Sequence, residues 1–515
     1  MPQVASLPGN PASAVPAWAG TVCPGYGPLR PYNPAARTCT AAAAAPRTAA
    51  GRARKVVADI DAAFDACGIT NGATLSFHHH LRNGDAVMNA VMAVASQRGL
   101  RDLTIAASSI FPIHAPLVPL IRAGVIGGIW TDYVHGPVAD EIIAGGLKRP
   151  VIMQTHGGRA RALASLQLQV DAAFIAAPCA DHAGNLTGAL GPSACGPLGY
   201  PAVDASYARH VVAVTDTLVT ALPRAPEISA HQVDIVVPVA KLGDPAGIVS
   251  GATAVTRNAA SSRFGPDVAI VLRASGLLRE GFSFQTGSGS VSLAVVDEVG
   301  AALRAMRERG GFISGGVTAA HVELARAGLF KRLIDVQCFD LEAVASFRDH
   351  DFHSWMNAAE YASPIHPAAI VNQLDAVILG ATEIDLDFNV NVTTSSDGKL
   401  IGGAGGHSDT AAGAKLTIIV TRLTAGGYAK VVDRVSCITT PGQDVDVLIT
   451  DAGIAVNPAR PDLAAALRDA GVPTLPIKGL NCIAAARAER RAAPRRQAPA
   501  VAIVEFRDGS VIDTV

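Results

Sequence analysis

The stretch from Glu383 to Asp409 holds the densest set of residue types able to do acyl chemistry. Glu383 follows the apolar run 376–381, which reads as a buried strand, so its carboxylate stands at a strand end. Asn389 and Asn391 share one face of an extended segment, because side chains alternate along a strand. Gly402-Gly403-Ala404-Gly405-Gly406-His407 then leads into a short helical segment. A strand-end carboxylate facing a glycine loop rich in backbone donors suits attack on a thioester. Glu383 would be the nucleophile or would orient the reactants. The amides of Gly405 and Gly406 would hold the tetrahedral oxyanion, with His407 at the loop's edge as a further catalytic candidate. The plainer reading of Glu383 is an exposed carboxylate. The loop fails as a dinucleotide fingerprint: Ser408 stands at the sixth position of Gly403–Ser408, and no ribose-binding acid follows about 20 residues on.

Two other segments have the same placement, polar residues directly after an apolar run, and a third precedes an expected helix. Phe77-His78-His79-His80-Leu81-Arg82 lies between a strand and a helix, where an anionic substrate or phosphate would bind; His78, His79 and Arg82 are the candidate binding residues, beside His80. Three consecutive histidines on an extended segment point to alternate faces, which argues against a metal site. Thr155-His156-Gly157-Gly158-Arg159 repeats the pattern, with glycines that let a ligand approach the backbone and Arg159 as a possible anion partner. Gln285-Thr286-Gly287 precedes an apolar helix expected from near Leu293. A solvated loop, a tight turn and a linker are the respective alternatives.

The elements that must position these residues alternate short apolar runs with helical periodicity. Strands are expected at 74–77, 103–107, 126–131, 151–155, 172–176 and 210–215, then at 233–239, 268–272, 312–314, 333–338, 376–381, 416–421 and 445–450. The pattern is α/β, with right-handed crossovers and sites beyond the C-terminal strand ends. A first helix is expected from about Arg52 to Ala66, and 501–506 with 511–515 reads as a hairpin on Asp508-Gly509. Pro223 and Pro226 mark a boundary, which gives an irregular, proline-rich extension over 1–50 and two lobes of similar build over 51–227 and 228–515. Each lobe would be a mostly parallel sheet covered by helices.

Composition narrows the function classes. The 515 residues carry 42 Lys and Arg against 43 Asp and Glu, a net charge of −1, which offers no field for nucleic acid and no polybasic membrane anchor. Apolar residues make up 49%, but Gly, Pro or charge breaks every run before it could span a bilayer. The eight cysteines form no CxxC pair, and no charged-then-apolar leader opens the chain. Both features point to free thiols in the cytoplasm.

Taken together, Ser76-Phe77-His78-His79 with Arg82, His156-Gly157-Gly158-Arg159, Gln285-Thr286-Gly287, Glu383-Ile384-Asp385 with Phe388-Asn389-Val390-Asn391, Gly405 to Ala411, Ile454 to Arg460 and Arg507 to Asp513 resemble the citrate lyase alpha subunits, the citrate CoA-transferases. The likeness is collinear from about Arg52 to the C-terminus. It implies the two-domain CoA-transferase architecture and the exchange of acetyl-acyl-carrier-protein and citrate for citryl-acyl-carrier-protein and acetate. It also implies that the chain binds no cofactor of its own. The thioester would sit on a CoA-like phosphopantetheine group of a gamma (acyl carrier) subunit, and a beta (citryl lyase) subunit would cleave the citryl thioester. In this family a mixed anhydride between the substrates is thought to replace a glutamyl-enzyme. Departures from the family pattern lie in the first 50 residues, at Ser290, over 361–367 and over 421–430, and bear on substrate preference. Competing classes are a CoA-transferase or acyl-CoA hydrolase using free CoA and another carboxylate, and a non-catalytic α/β binding subunit.

Overall fold

The structure is a computed structural model that describes residues 29–35, 39, 41–49, 51, 55–78, 80–249, 264–287, 295–493 and 500–515. Two large sheets dominate it. The first has ten strands, in the order Arg30–Pro31, Ser510–Thr514, Ala502–Glu505, Val151–Met153, Ile126–Thr131, Leu103–Ala107, Thr74–His78, Ala172–Ala176, His210–Thr215 and Ile235–Pro238. All neighbours are parallel except the terminal hairpin, Ala502–Glu505 with Ser510–Thr514. The second sheet has eight strands: His353–Trp355, Phe330–Cys338, Gly310–Val317, Ser283–Thr286, Ala376–Gly380, Leu416–Val420, Val447–Thr450 and Gly453–Val456. Its last pair alone is antiparallel.

The two sheets share a winding. In each, the chain lays strands outward on one side of its first long strand, then returns to the other side. The switch falls between Thr74–His78 and Ala172–Ala176 in the first sheet, and between Ser283–Thr286 and Ala376–Gly380 in the second. Ligands bind beyond the C-terminal strand ends at such switch points. The central strands are buried along their length, as unbroken Val, Ile, Leu and Ala runs require when helices cover both faces.

Local signals set the helix ends. Asp59 caps helix Ile60–Cys67 by accepting from the Ala62 amide at 2.8 Å, and Gly68 ends it at φ +63°. The helix therefore starts later than the Arg52 expected, although 52–54 lie outside the described residues. Val268–Leu272, expected as a strand, lies inside helix Phe264–Ala274. Phe264, Val268, Val271 and Leu272 all face the core, and a run this short satisfies either period.

The expected division at 227/228 does not follow the sheets. Ile235–Pro238 and the terminal hairpin both belong to the first sheet, since their partners there are His210–Thr215 and Val151–Met153. Apart from the edge strand Arg30–Pro31, the described part of the extension runs irregularly across the same lobe. Its amides at Ala44, Arg47 and Ala49 donate to Ala164, Ser206 and His231, and Arg47 pairs with Asp234 at 2.8 Å. Among the described residues no helix is long and apolar enough to cross a membrane.

Candidate active site

The C-terminal edges of the two sheets face a common cavity of about 410 Å³. Arg82 enters it from the loop after Thr74–His78. Its backbone sits in the left-handed region at φ +57°, and two residues on, the chain makes a tight crossing: a Cβ on Gly84 would lie 1.9 Å from the Asp244 carbonyl oxygen. The Arg82 guanidinium lies 4.9 Å from the Phe111 ring centroid and 5.1 Å from that of Phe339. Burial lowers it to about 10, while Tyr133 and Tyr200 oppose the drop, so it stays cationic at neutral pH. No Asp or Glu lies among the described cavity-lining residues, and Arg82 is the sole Arg or Lys among them. A cation between aromatic faces, in a cavity lined by no described acid, suits an anionic ligand.

Residues 402–406 form the opposite wall and are tied to the first sheet through their backbone. Gly405 donates to the Asp132 carbonyl at 3.2 Å and accepts from the His156 amide at 2.8 Å, and Val134 donates to Gly402. Closeness requires the glycines: a Cβ on Gly403 would sit 2.2 Å from the Asp132 carbonyl oxygen, and one on Gly406 would sit 2.4 Å from the Tyr361 hydroxyl. The Gly405 amide is therefore taken up by the fold, whereas Gly406 donates to no carbonyl or side chain among the described residues. His156 follows strand Val151–Met153 and points into the cavity beside Gly405. Its Nδ1 pairs with Asp132 Oδ2 at 2.8 Å and its ring packs on Tyr200 at 4.5 Å. Burial raises Asp132, and the His156 contact opposes this. His407 also lines the cavity, but Thr440 Oγ1 at 2.8 Å and the Gly380 carbonyl at 2.9 Å occupy both ring nitrogens. Burial lowers it to about 4, so it is a neutral structural histidine.

Gln285, Thr286 and Gly287 close the wall at the end of strand Ser283–Thr286. Gln285 Nε2 donates to the Tyr361 hydroxyl at 2.7 Å, and Thr286 Oγ1 meets His321 Nε2 at 3.2 Å. The family model described as citrate lyase, alpha subunit (CitF), matches residues 53–515. The chain belongs to the citrate lyase alpha subunit family. The citrate lyase alpha chains of Klebsiella pneumoniae and Escherichia coli (strain K12) are each 43% identical to it, over 464 and 470 residues, 90% of this chain and 91% of theirs. A solved structure from Streptococcus mutans, described as the alpha subunit of citrate lyase in complex with citrate, matches with a TM-score of 0.91 at 39% identity, covering 96% of this chain and 97% of that one. A Pseudomonas malonate decarboxylase hetero-tetramer matches with a TM-score of 0.61 at 17% identity, covering 82% of this chain and 85% of that one, which shows a shared fold.

Of the candidates read from the sequence of this citrate lyase alpha-family chain, Arg82, His156, Gln285, Thr286, Gly287, Gly405, Gly406 and His407 line the cavity. The others among the described residues do not. His78 pairs with buried Asp204, which also holds Arg159 at 3.0 Å; Arg159 reaches Ser76 Oγ and the Ala106 carbonyl as well, so it ties strands together. Gly157 and Gly158 open helix His156–Ala164, and their amides go to Asp409 Oδ2 and Thr155 Oγ1 at 2.8 Å each. Gly157 also lets this helix touch helix Ala358–Ala362: a Cβ there would lie 2.1 Å from the Ala362 carbonyl oxygen. Asn389 binds Asp385 and Gly442, and Asn391 caps the turn at Thr393 and Thr394. Glu383, 1% exposed, accepts from Ser396 Oγ at 2.6 Å, Ser436 Oγ at 2.9 Å and Asn391 Nδ2 at 3.1 Å. It stands behind the wall, next to Thr382, which lines the cavity. His79 lies outside the described residues.

Sequence reasoning missed Phe111, Asp132, Tyr133, Tyr200, Phe339 and Tyr361. Asp132 and Tyr133 directly follow strand Ile126–Thr131, so the strand-end rule that found Arg82 finds them too. Phe339 likewise follows Phe330–Cys338. Behind it, Asp335 Oδ2 accepts from Cys338 Sγ at 3.1 Å and lies 3.2 Å from His353 Nε2, which fixes the strand end carrying Gln337 and Phe339.

Proposed function

We propose that the cavity exchanges acetate for citrate on an acyl-carrier thioester. The observation that carries this reading is the lone cation Arg82, set between two aromatic rings in a cavity whose described lining holds no acid. Such a site binds a carboxylate without competition from an acid of the described lining. Arg82 takes one carboxylate of citrate, and a second citrate carboxylate attacks the thioester carbonyl. The new C–O bond forms as the C–S bond breaks, and the thiolate leaves. The thiolate then attacks the citryl carbonyl of the mixed anhydride, and acetate departs. No proton has to move in either step. The Gly406 amide and His156 stand where the oxyanion develops, and Glu383 holds the strand turn behind the glycine loop rather than bonding to the acyl group.

In this reading the thioester is carried on the phosphopantetheine arm of a gamma (acyl carrier) subunit, a beta (citryl lyase) subunit cleaves the product, and the assembly works in the cytoplasm. None of the seven described cysteines forms a disulfide, which suits a reducing compartment. The test is direct. The purified chain, given acetyl-CoA and citrate, is expected to form citryl-CoA and acetate, and oxaloacetate only after a beta-type partner is added. Oxaloacetate from the lone chain, or no exchange with citrate, would overturn the reading.

A further inference from the structure

Among the described residues lining the cavity, Gln285 alone carries a buried side-chain nitrogen or oxygen with no hydrogen-bond partner, its Oε1. The residue is 5% exposed and sits in the middle of a paired strand, between Ile313's neighbour Phe284 and Thr286. Its amide is locked. Gly315, at φ +99°, leaves room for it: a Cβ there would lie 2.5 Å from Gln285 Cδ. On the other side Nε2 donates to the Tyr361 hydroxyl, which is itself pressed against Gly406. An acceptor held this way, desolvated and without a donor, is costly unless a ligand supplies one.

The substrates of the exchange proposed above are nearly all acceptors. At neutral pH the carboxylates of citrate and acetate have no hydrogen to give, and neither has a thioester carbonyl. Among the reacting acids only citrate carries a donor, its tertiary hydroxyl; the other donors at hand are the amide N–H and hydroxyl groups of the pantetheine arm, which the test below separates. Resting on that exchange reading, we infer that Gln285 Oε1 receives the tertiary hydroxyl of citrate and makes the site selective for a hydroxylated tricarboxylate. Arg82 then recognises the charge of the acid and Gln285 its hydroxyl. A site with a buried acceptor left unpaired rejects the analogue that lacks the donor, by about 10²-fold or more.

The experiment compares citrate with tricarballylate, which has the same three carboxylates and no hydroxyl, using the full chain and acetyl-CoA. The wild type is expected to prefer citrate by about 10²-fold or more in kcat/KM. In Gln285→Met the ratio should collapse to within a few-fold of one. A wild type that uses both acids equally overturns the inference and needs no variant to do so. So does a Gln285→Met ratio unchanged from wild type: equal losses with both acids would make the amide a carboxylate donor, and a loss confined to the KM for acetyl-CoA would assign the oxygen to the thioester's arm. A wild type that forms no citryl thioester sinks the exchange reading itself. Citryl formation with an unchanged ratio sinks only the role of Gln285.

Discussion

Phe111 and Phe339 follow strands of different sheets, yet both rings lie against the Arg82 guanidinium, at 4.9 and 5.1 Å. The cation of the site is thus held by both halves of the molecule at once. Arg82→Ala should lower kcat/KM for citrate about 10- to 100-fold, the worth of a charge-assisted pair. Arg82→Lys should recover little of it, because an ammonium has no flat face for the two rings and no fork for a carboxylate. Steady-state kinetics with citrate varied would check both, and a fully active Arg82→Lys would count against the role.

The contact between residues 402–406 and Asp132 makes its own prediction. Gly403→Ala pushes a methyl against the Asp132 carbonyl, so the loop must move. Overpacking of this kind costs about 1–3 kcal/mol, and a displacement near 1 Å at a reacting centre costs about 10²-fold in rate. Thermal melts and kcat measured on the same preparation should show a modest loss of stability beside a large loss of turnover.

Glu383 separates two chemistries. With its carboxylate already bonded to Ser396, Ser436 and Asn391, it should not become acylated. Borohydride treatment of the enzyme with acetyl-CoA and no citrate is expected to leave Glu383 unreduced by mass spectrometry. Glu383→Gln should retain turnover within about tenfold, since a lost hydrogen bond is worth roughly 0.5–1.5 kcal/mol. A reduced Glu383, or an inert Glu383→Gln that still folds, would establish a covalent route.

Glu227 makes stability depend on pH. Burial raises its carboxyl to about 7, against the Gly188 amide and Thr187 hydroxyl that favour the charged form. A carboxyl raised on folding is best tolerated when protonated. Its contribution is present in full below the unfolded value of 4.5 and is lost as pH rises through about 7. The stability advantage of wild type over Glu227→Gln should therefore shrink by about 3 kcal/mol between pH 4.5 and 8, at ~1.4 kcal/mol per unit. Denaturant titrations at a series of pH values would show it. A difference that stays flat would place the carboxyl's titration elsewhere.

The strand-end rule made half of this site legible, because it depends only on where apolar runs stop. It found Arg82 and His156 without knowing which strands were neighbours, whereas Gln285 was marked by the helix expected after it, its own strand Ser283–Thr286 having gone unread. It could not assign partners. His78 and Arg159 look as functional as Arg82 in the sequence, but Asp204, far along the chain, takes both. His78 is still within its strand, where the pleat decides its face; Arg82 lies beyond it. Tyr200 and Tyr361 stand at no strand end, so no local signal marked them. The α/β class was carried by the alternation of runs, and it failed locally at Val268–Leu272, where four buried residues fit both periods.

The place of the last hairpin has a consequence for how the molecule is made. Strand Val151–Met153, which leads directly to His156, pairs on one side with Ala502–Glu505. During synthesis that edge stays open while the whole second sheet is translated, because its neighbour Ala502–Glu505 is made only after that sheet. An open edge is a template for wrong pairing, so the nascent chain is most in need of protection over this interval. A ribosome that stalls before Ala502 leaves the histidine-bearing edge unfinished. Catalytic competence is thereby withheld until translation runs through the closing strands, and polypeptides cut short by nonsense codons should be inert.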